Sequence, residues 1–195
     1  MKKWLWLLPL CTVCWACPFE SNVALENGPV EKADSSLCGY WYGIIRDGSD
    51  FFGIEALDIT LQSDSVYAIT RYGKAIKGDI ILPDTAYFTG YTSYIGEHRY
   101  MNVVADILIE EPRRNSKIRE MKKQRVYYIA RMDVSHDTLT VMTITESFSK
   151  KKTFGSADEF KQMIRNFSGS PKELYDEQYS LSYRKIVKPQ PVKSF

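Results

Sequence analysis

Alternation of apolar and polar residues constrains the fold of this chain more than any other feature. Residues 56–62 (ALDITLQ) place Leu or Ile at every second position, with polar residues between them. Residues 99–109 repeat the pattern, since Met101, Val103, Ala105, Ile107 and Ile109 fall on one face of an extended strand. A period of two is typical of a half-buried antiparallel strand. The chain is therefore expected to be built mainly from such strands.

Short segments of this kind, separated by polar turns, run from Leu37 to Ser147. They are residues 39–45, 56–62, 66–73, 78–82, 87–94, 99–109, 126–134 and 138–146. Seven or eight short strands at this spacing predict a barrel or a sandwich, because closing a sheet removes its exposed edges. We take the barrel as the prediction: a mainly β domain over residues 37–188, folded as an antiparallel barrel.

One helix signal follows the strands. Ser156 and Glu159 match a capping box, and the apolar side chains of 160, 163, 164 and 167 then form one stripe. We predict a helix near 157–167 that packs on the sheet. A second, weaker helical turn is expected over 172–178, then a final strand over 180–188 and a loose tail over 189–195.

The N-terminus has the order of an export signal. Lys2 and Lys3 precede an apolar run that ends at Ala16, directly before Cys17. The run is too short to span a bilayer, which needs about 20 residues. Residues 14–17 (CWAC) here resemble the lipobox of a bacterial lipoprotein precursor. Cys11 and Cys14 follow the bulkier Leu10 and Val13, so Cys17 fits that site better.

This resemblance implies removal of residues 1–16, lipidation of Cys17 and attachment to a membrane of the cell envelope. Pro18 stands where Asp would imply retention in the inner membrane, so the resemblance favours the outer membrane in a Gram-negative cell. Two alternatives remain: an uncleaved anchor, and a metal or cluster motif made by Cys11, Cys14 and Cys17.

Removal of the signal changes the composition of the chain. It leaves 24 basic and 24 acidic residues, so the net charge of +2 falls to zero and favours no nucleic-acid partner. Cys38 would be the one unlipidated thiol, which excludes an internal disulfide. Polar residues without periodicity over 17–36 predict a tether; packing of Val23, Ala24 and Leu25 on the domain is the alternative.

Gly39, Tyr40 and Trp41 open the first strand with a Gly-x-Trp sequence. This motif, with the strand order and late helix, resembles the lipocalins and other calycin barrels. In that family the Trp closes one end of the barrel beneath a basic side chain. The resemblance implies this role for Trp41, with Arg184 as the basic residue or Lys185 beside it.

The sequence offers little support for catalysis. His98 and His136 each fall in a predicted turn among polar residues, so both are expected to be solvated turn residues. Cys38 fits a small buried hydrophobe better than a nucleophile, and Glu55 with Asp58 is the one carboxylate pair considered as an acid and base. We predict neither a catalytic site nor a metal nor a cofactor.

A cluster of aromatic residues favours a binding role. Tyrosines crowd residues 87–100 and 127–128, and Tyr suits an apolar pocket that receives a ligand with a polar group. We predict that Met101, Tyr128 and Met132 line a cavity for a small apolar ligand; ordinary packing of a β fold is the alternative. A second possible function is assembly with an envelope protein through an outer face. Residues 113–125 hold seven basic residues in a predicted loop, which is either solvated or in contact with anionic headgroups.

Overall fold

Eight antiparallel strands follow one another around a closed barrel, each paired with its neighbours in the sequence and the last with the first. The structure is a computed structural model that describes residues 19–46, 52–77, 80–112, 119–145, 153–167 and 174–189. The strands are β1 Gly39–Arg46, β2 Phe52–Leu61, β3 Tyr67–Lys77, β4 Ile80–Ile95, β5 His98–Pro112, β6 Arg119–Ser135, β7 Thr138–Ile144 and β8 Tyr175–Ile186. The predicted antiparallel barrel is confirmed.

Three elements differ from the expectation. The two strands expected over 78–82 and 87–94 are one strand, β4, which begins at Ile80 and is continuous through Pro83 and Asp84; residues 78 and 79 lie outside the described residues. The expected helical turn over 172–178 is wrong over its last four residues, because β8 begins at Tyr175; Leu174 is helical, and residues 172 and 173 lie outside the described residues. The basic segment 113–125 is not wholly a loop, since β6 begins at Arg119 and pairs from there with β5. Cross-strand pairing decides these cases, and local sequence does not contain it.

The barrel has two unlike ends. At the capped end, which carries the turns after β4 and β6, a short 3₁₀ helix (Ser35–Leu37) leads into β1 and buries Leu37 completely. At the opposite end, here called the hairpin end, the hairpins β1–β2, β3–β4 and β5–β6 turn. The longest of these hairpins is β5–β6, in which thirteen cross-strand pairs run from Tyr100 to Pro112.

The inward faces of the strands form an apolar core near the capped end. Trp41, Ile59, Tyr67, Met101 and Leu139 are all completely buried there. They are contributed by alternate residues of their strands, as a closed barrel requires. This core fills the barrel next to the capped end.

A second core lies outside the barrel, beneath helix α1 (Ala157–Phe167). Phe160 and Ile164 of the helix are buried against the outer face of β6 and β7. The capping box is confirmed in part: Ser156 Oγ accepts the Glu159 N–H at 3.2 Å, while Glu159 Oε2 accepts the N–H of Gly155 at 2.7 Å. The helix therefore begins and packs where its sequence predicts.

The expected tether is folded onto the barrel over its described part. Residues 19–37, here called the strap, bury Phe19 and Leu25, and Ser21 pairs with Tyr127 of β6. The Leu25 N–H donates to Asn102 Oδ1 at 2.7 Å. The structure thus favours the alternative in which this segment covers the domain, because its apolar side chains fill the gap between the barrel and α1.

Candidate binding site inside the barrel

Inward-facing side chains at the hairpin end are only partly buried. Phe88, Val103, Val141 and Leu181 pack against the inner core, yet each keeps an intermediate exposure to solvent. A side chain that points into a closed barrel meets solvent only where the interior opens. These four residues form the partly exposed layer of the interior that lies on the hairpin-end side of the inner core, here called the cup.

Two of the three predicted lining residues form the floor beneath this cup. Met101 is completely buried and Met132 is 4% exposed, both within the inner core. Gly90, also on the inward face, lies so close to Met101 that a Cβ there would be 2.8 Å from its Sδ. The methionines are thus close-packed at the bottom of the barrel interior.

Tyr128, the third predicted residue, lies in the wall. It pairs with Val103 and shares its inward face. Its hydroxyl donates to Glu20 Oε1 of the strap at 2.8 Å. Burial, together with the neighbouring Glu20 carboxylate, raises the pKa of Tyr128 to about 12. The phenol is therefore a neutral donor throughout the physiological range.

A buried polar cluster stands in the opposite wall. The Glu55 side chain is 7% exposed, and its two oxygens accept from Tyr183 Oη at 2.6 Å and from Arg71 Nε at 2.7 Å. Arg71 Nη1 also lies 3.5 Å from Asp84 Oδ2. A buried carboxylate is tolerated only when paired and hydrogen-bonded, and Glu55 meets both conditions.

The electrostatics of this cluster keep Arg71 charged and Tyr183 neutral. Burial is the largest single effect and disfavours the charged guanidinium, but the hydrogen bond with Glu55 and the charges of Glu55 and Asp84 together outweigh it and raise the pKa of Arg71. Burial and the Glu55 carboxylate raise the pKa of Tyr183. The Arg71 side chain remains 39% exposed. The cluster thus presents a cation to water at the side of an otherwise apolar cup.

Gly43 makes room for this arrangement. A Cβ at this position would lie 2.8 Å from Cδ1 of the Tyr183 ring and 3.2 Å from the Ser182 carbonyl oxygen. The ring would have to move, and its hydroxyl would leave Glu55. The glycine of β1 therefore allows the tyrosine of β8 to reach β2.

The capped end places Trp41 as expected but pairs it with a different basic residue. Lys185 Nζ lies 5.0 Å above the Trp41 ring, and Trp41 Nε1 donates to the Leu37 carbonyl at 2.8 Å. The choice of Arg184 is corrected: it pairs with Tyr42, whose side chain lies on the opposite face of β1 from Trp41. A Cβ on Gly39 would lie 2.5 Å from Lys185 Cε, so this glycine admits the lysine stem.

The candidate carboxylate pair is separated by the fold. Glu55 faces inward, whereas Asp58, three residues along the strand, faces outward and forms an ion pair with Lys188. Strand residues three apart lie on opposite faces, so the two carboxylates do not meet. An acid and base pair made from them is ruled out by this geometry.

The other reactive candidates lie outside the cup. His98 begins β5 and His136 lies in the turn after β6; both are exposed at the capped end. Cys38 packs partly against the inner core, and burial raises the pKa of its thiol, which disfavours the thiolate. Cys11, Cys14 and Cys17 lie outside the described residues. No group of three metal-binding side chains occurs within the ranges described above.

The aromatic cluster divides between the two faces of the sheet. Phe88 and Tyr128 face the cup, whereas Tyr91 and Tyr100 are buried on the outer side and donate or accept hydrogen bonds there. Tyr87 is 78% exposed. The crowding of aromatics in the sequence therefore reflects two separate packing surfaces.

A groove of about 580 Å³ lies elsewhere, at the capped end. Its lining includes Cys38, Tyr40, Asp58 and Lys188, and none of the predicted ligand-binding residues. The Lys188 ion pair with Asp58 crosses this region. The groove is thus distinct from the cup.

Arg71 and Tyr183 were missed by sequence reasoning, although a signal for them exists. Glu55 continues the apolar face of Leu57 and Ile59, and Arg71 continues that of Tyr67 and Ile69. A charge at an alternating apolar position indicates an inward polar group. The alternation therefore identifies Glu55 and Arg71 as inward-facing. Tyr183 reaches them only because β8 closes the barrel, which the local sequence does not show.

Comparison with protein-family models, curated proteins and solved structures found no match. Among the helices of the described ranges, none has the length and apolarity needed to cross a membrane.

Proposed function

We propose that this protein is a lipid-anchored lipoprotein of the cell envelope that binds a small, largely apolar molecule in the cup. The single observation that carries the proposal is the set of partly exposed apolar side chains facing into a closed barrel. Pockets for small ligands are mostly apolar, with a few placed polar groups. Arg71, Tyr128 and Glu55 supply such groups beside the apolar wall.

The export signal and Cys17 support the anchor, and the calycin resemblance supports the binding role. Trp41 beneath Lys185 has the arrangement that this resemblance implies. We propose no enzymatic activity, because the one candidate carboxylate pair is split between two faces of β2. The outer membrane is the proposed location in a Gram-negative cell.

A second function, assembly with an envelope protein, has its own supporting observation. Ile44 and Ile54 are cross-strand partners on the outer face, 57% and 39% exposed. Exposed apolar neighbours of this kind are typical of an interaction surface.

Photolabelling distinguishes the two functions. Cells expressing the full chain are fed a fatty acid that carries a photoreactive diazirine, and labelled peptides are mapped by mass spectrometry. Binding in the cup predicts labels on Phe88, Val103 or Leu181. Val103→Trp, which fills the cup, should lose these labels, while Val30→Trp on the exposed strap should keep them. Circular dichroism checks that both variants fold.

Labels confined to Ile44 and Ile54 would contradict the cup and support the outer-face function. Labels that persist at full intensity in a folded Val103→Trp variant would also contradict binding inside the barrel.

A further inference from the structure

The strap fixes the chain to the barrel immediately after the proposed lipidation site. The Phe19 N–H donates to the Ile144 carbonyl at 2.9 Å, and Ser21 exchanges two backbone hydrogen bonds of 2.9 Å with Tyr127. Phe19 is buried against Phe154 and Phe160. Residue 19 therefore has a fixed position between β6 and β7.

Cys17 is only two residues before this fixed point. Two extended residues span at most about 7 Å. If Cys17 carries the lipid, as the proposed function holds, the membrane surface must lie close to the β6–β7 side of the barrel. A flexible tether would allow the barrel any orientation relative to the membrane, whereas the packed strap restricts that orientation.

A two-stranded arm projects from the same side. Pairing between β4 and β5 ends at Val104, and pairing between β6 and β7 ends at Ala130. Beyond these points, residues 105–112 and 119–126 pair only with each other, and Tyr127 at their base also pairs with Ser21. The strap is thus bonded to the base of this arm, here called the β5–β6 arm.

The β5–β6 arm combines exposed apolar and basic side chains. Leu108 is 67% exposed and Met121 is 58% exposed. They share the outer face with Lys123 and Arg125, which lie 2.9 and 3.3 Å from Asp106. Over residues 105–126 the sequence holds seven basic and four acidic residues, an excess of three positive charges. Apolar side chains among basic ones suit an interface with anionic headgroups.

We infer that the β5–β6 arm lies on an anionic phospholipid surface, so that the hairpin end of the barrel faces the membrane. The anchor brings the base of the arm to the bilayer, and the charge and exposed apolar residues of the arm favour its contact there. The cup would then open toward the bilayer, from which an apolar ligand can enter without crossing bulk water.

The test places one indole on the arm of the lipidated full-length protein. Once the signal is removed, Trp41 is the sole tryptophan, and it is buried at the capped end. Met121→Trp adds a reporter on the arm, and Val187→Trp adds a matched reporter at the capped end, where Val187 is 91% exposed. Both proteins are reconstituted into vesicles of phosphatidylcholine and phosphatidylglycerol with brominated acyl chains, which quench indoles in contact with them.

The inference predicts that the indole of Met121→Trp loses most of its emission while that of Val187→Trp keeps it. Replacing Lys122, Lys123 and Arg125 by Glu in the Met121→Trp protein should restore the emission, and added salt should restore it in part because it screens the charges. Unquenched emission at position 121 in protein that floats with the vesicles would overturn the inference. Equal quenching at both positions would overturn it too.

Acyl labelling tests the anchor separately from the contact of the arm. Cys17→Ser should abolish acyl labelling and leave a larger precursor. If wild-type protein carries no acyl label, the proposed anchor fails; the contact of the arm then stands only if phosphatidylglycerol vesicles still quench Met121→Trp.

Discussion

At the scale of single residues, the least expected feature is a charged group in the wall of a small barrel. Glu55 is tolerated because Arg71 and Tyr183 satisfy both of its oxygens. Arg71 can still reach water, whereas Glu55 cannot exchange its partners for solvent without opening the barrel. The tyrosine hydroxyl is therefore the contact whose loss the fold cannot compensate.

Tyr183→Phe tests this contact. The variant keeps the ring but leaves one oxygen of a buried carboxylate without its donor, which should lower the free energy of unfolding by about 1–3 kcal/mol. Urea unfolding followed by circular dichroism measures the change. Tyr87→Phe, at an exposed position, is the matched control and should change stability by less than about 0.5 kcal/mol. Equal stability of the two variants would mean that the Tyr183 hydroxyl is dispensable.

At the scale of elements, the strap is the part of the molecule that most changes the expected picture. Its wholly buried side chain, Leu25, packs in the outer core with the helix, and its backbone bonds the side chain of Asn102. Glu26 forms an ion pair with Lys161 of α1. The segment therefore connects the barrel to the helix.

Leu25→Ala should destabilise the protein by about 2–5 kcal/mol, because truncation leaves a cavity in a packed core. Val30→Ala in the same segment should have little effect, since Val30 is 68% exposed. Urea midpoints of the two variants make the comparison. A loose tether would give no effect for either substitution, and that outcome would contradict the packed strap.

The predictability of these elements follows from the range of their interactions. Alternation identifies β1, β2, β5 and β7, and the capping box identifies α1, because both signals are local. The strap has apolar residues at 19, 23 and 25, but whether they pack on the barrel depends on partners far along the chain, such as Asn102. Lys185 rather than Arg184 covers Trp41 because strand register decides which residue faces inward. Pairing between distant residues cannot be predicted from a short window of sequence.

At the scale of the whole molecule, buried tyrosines make the stability of the fold depend on pH. Burial raises the pKa of Tyr91 and of Tyr128 to about 12, and burial raises the pKa of Tyr175 and Tyr183 as well. In the unfolded chain a tyrosine releases its proton near pH 10. The folded protein binds these protons more tightly than the unfolded chain does.

Stability should therefore be fully present below about pH 10 and should fall as the pH rises from 10 toward 12. Because Tyr175 belongs to the outer core and Tyr183 to the inner core, their ionisation should accompany loss of the whole fold. Tyrosinate absorbance and far-ultraviolet circular dichroism, recorded together during an alkaline titration, measure this. Chain unfolded in guanidinium chloride is the control, and its tyrosines should titrate near pH 10. Ionisation of every tyrosine near pH 10 in protein that keeps its circular dichroism would contradict the raised pKa values, since no phenol would then be held neutral by the folded barrel.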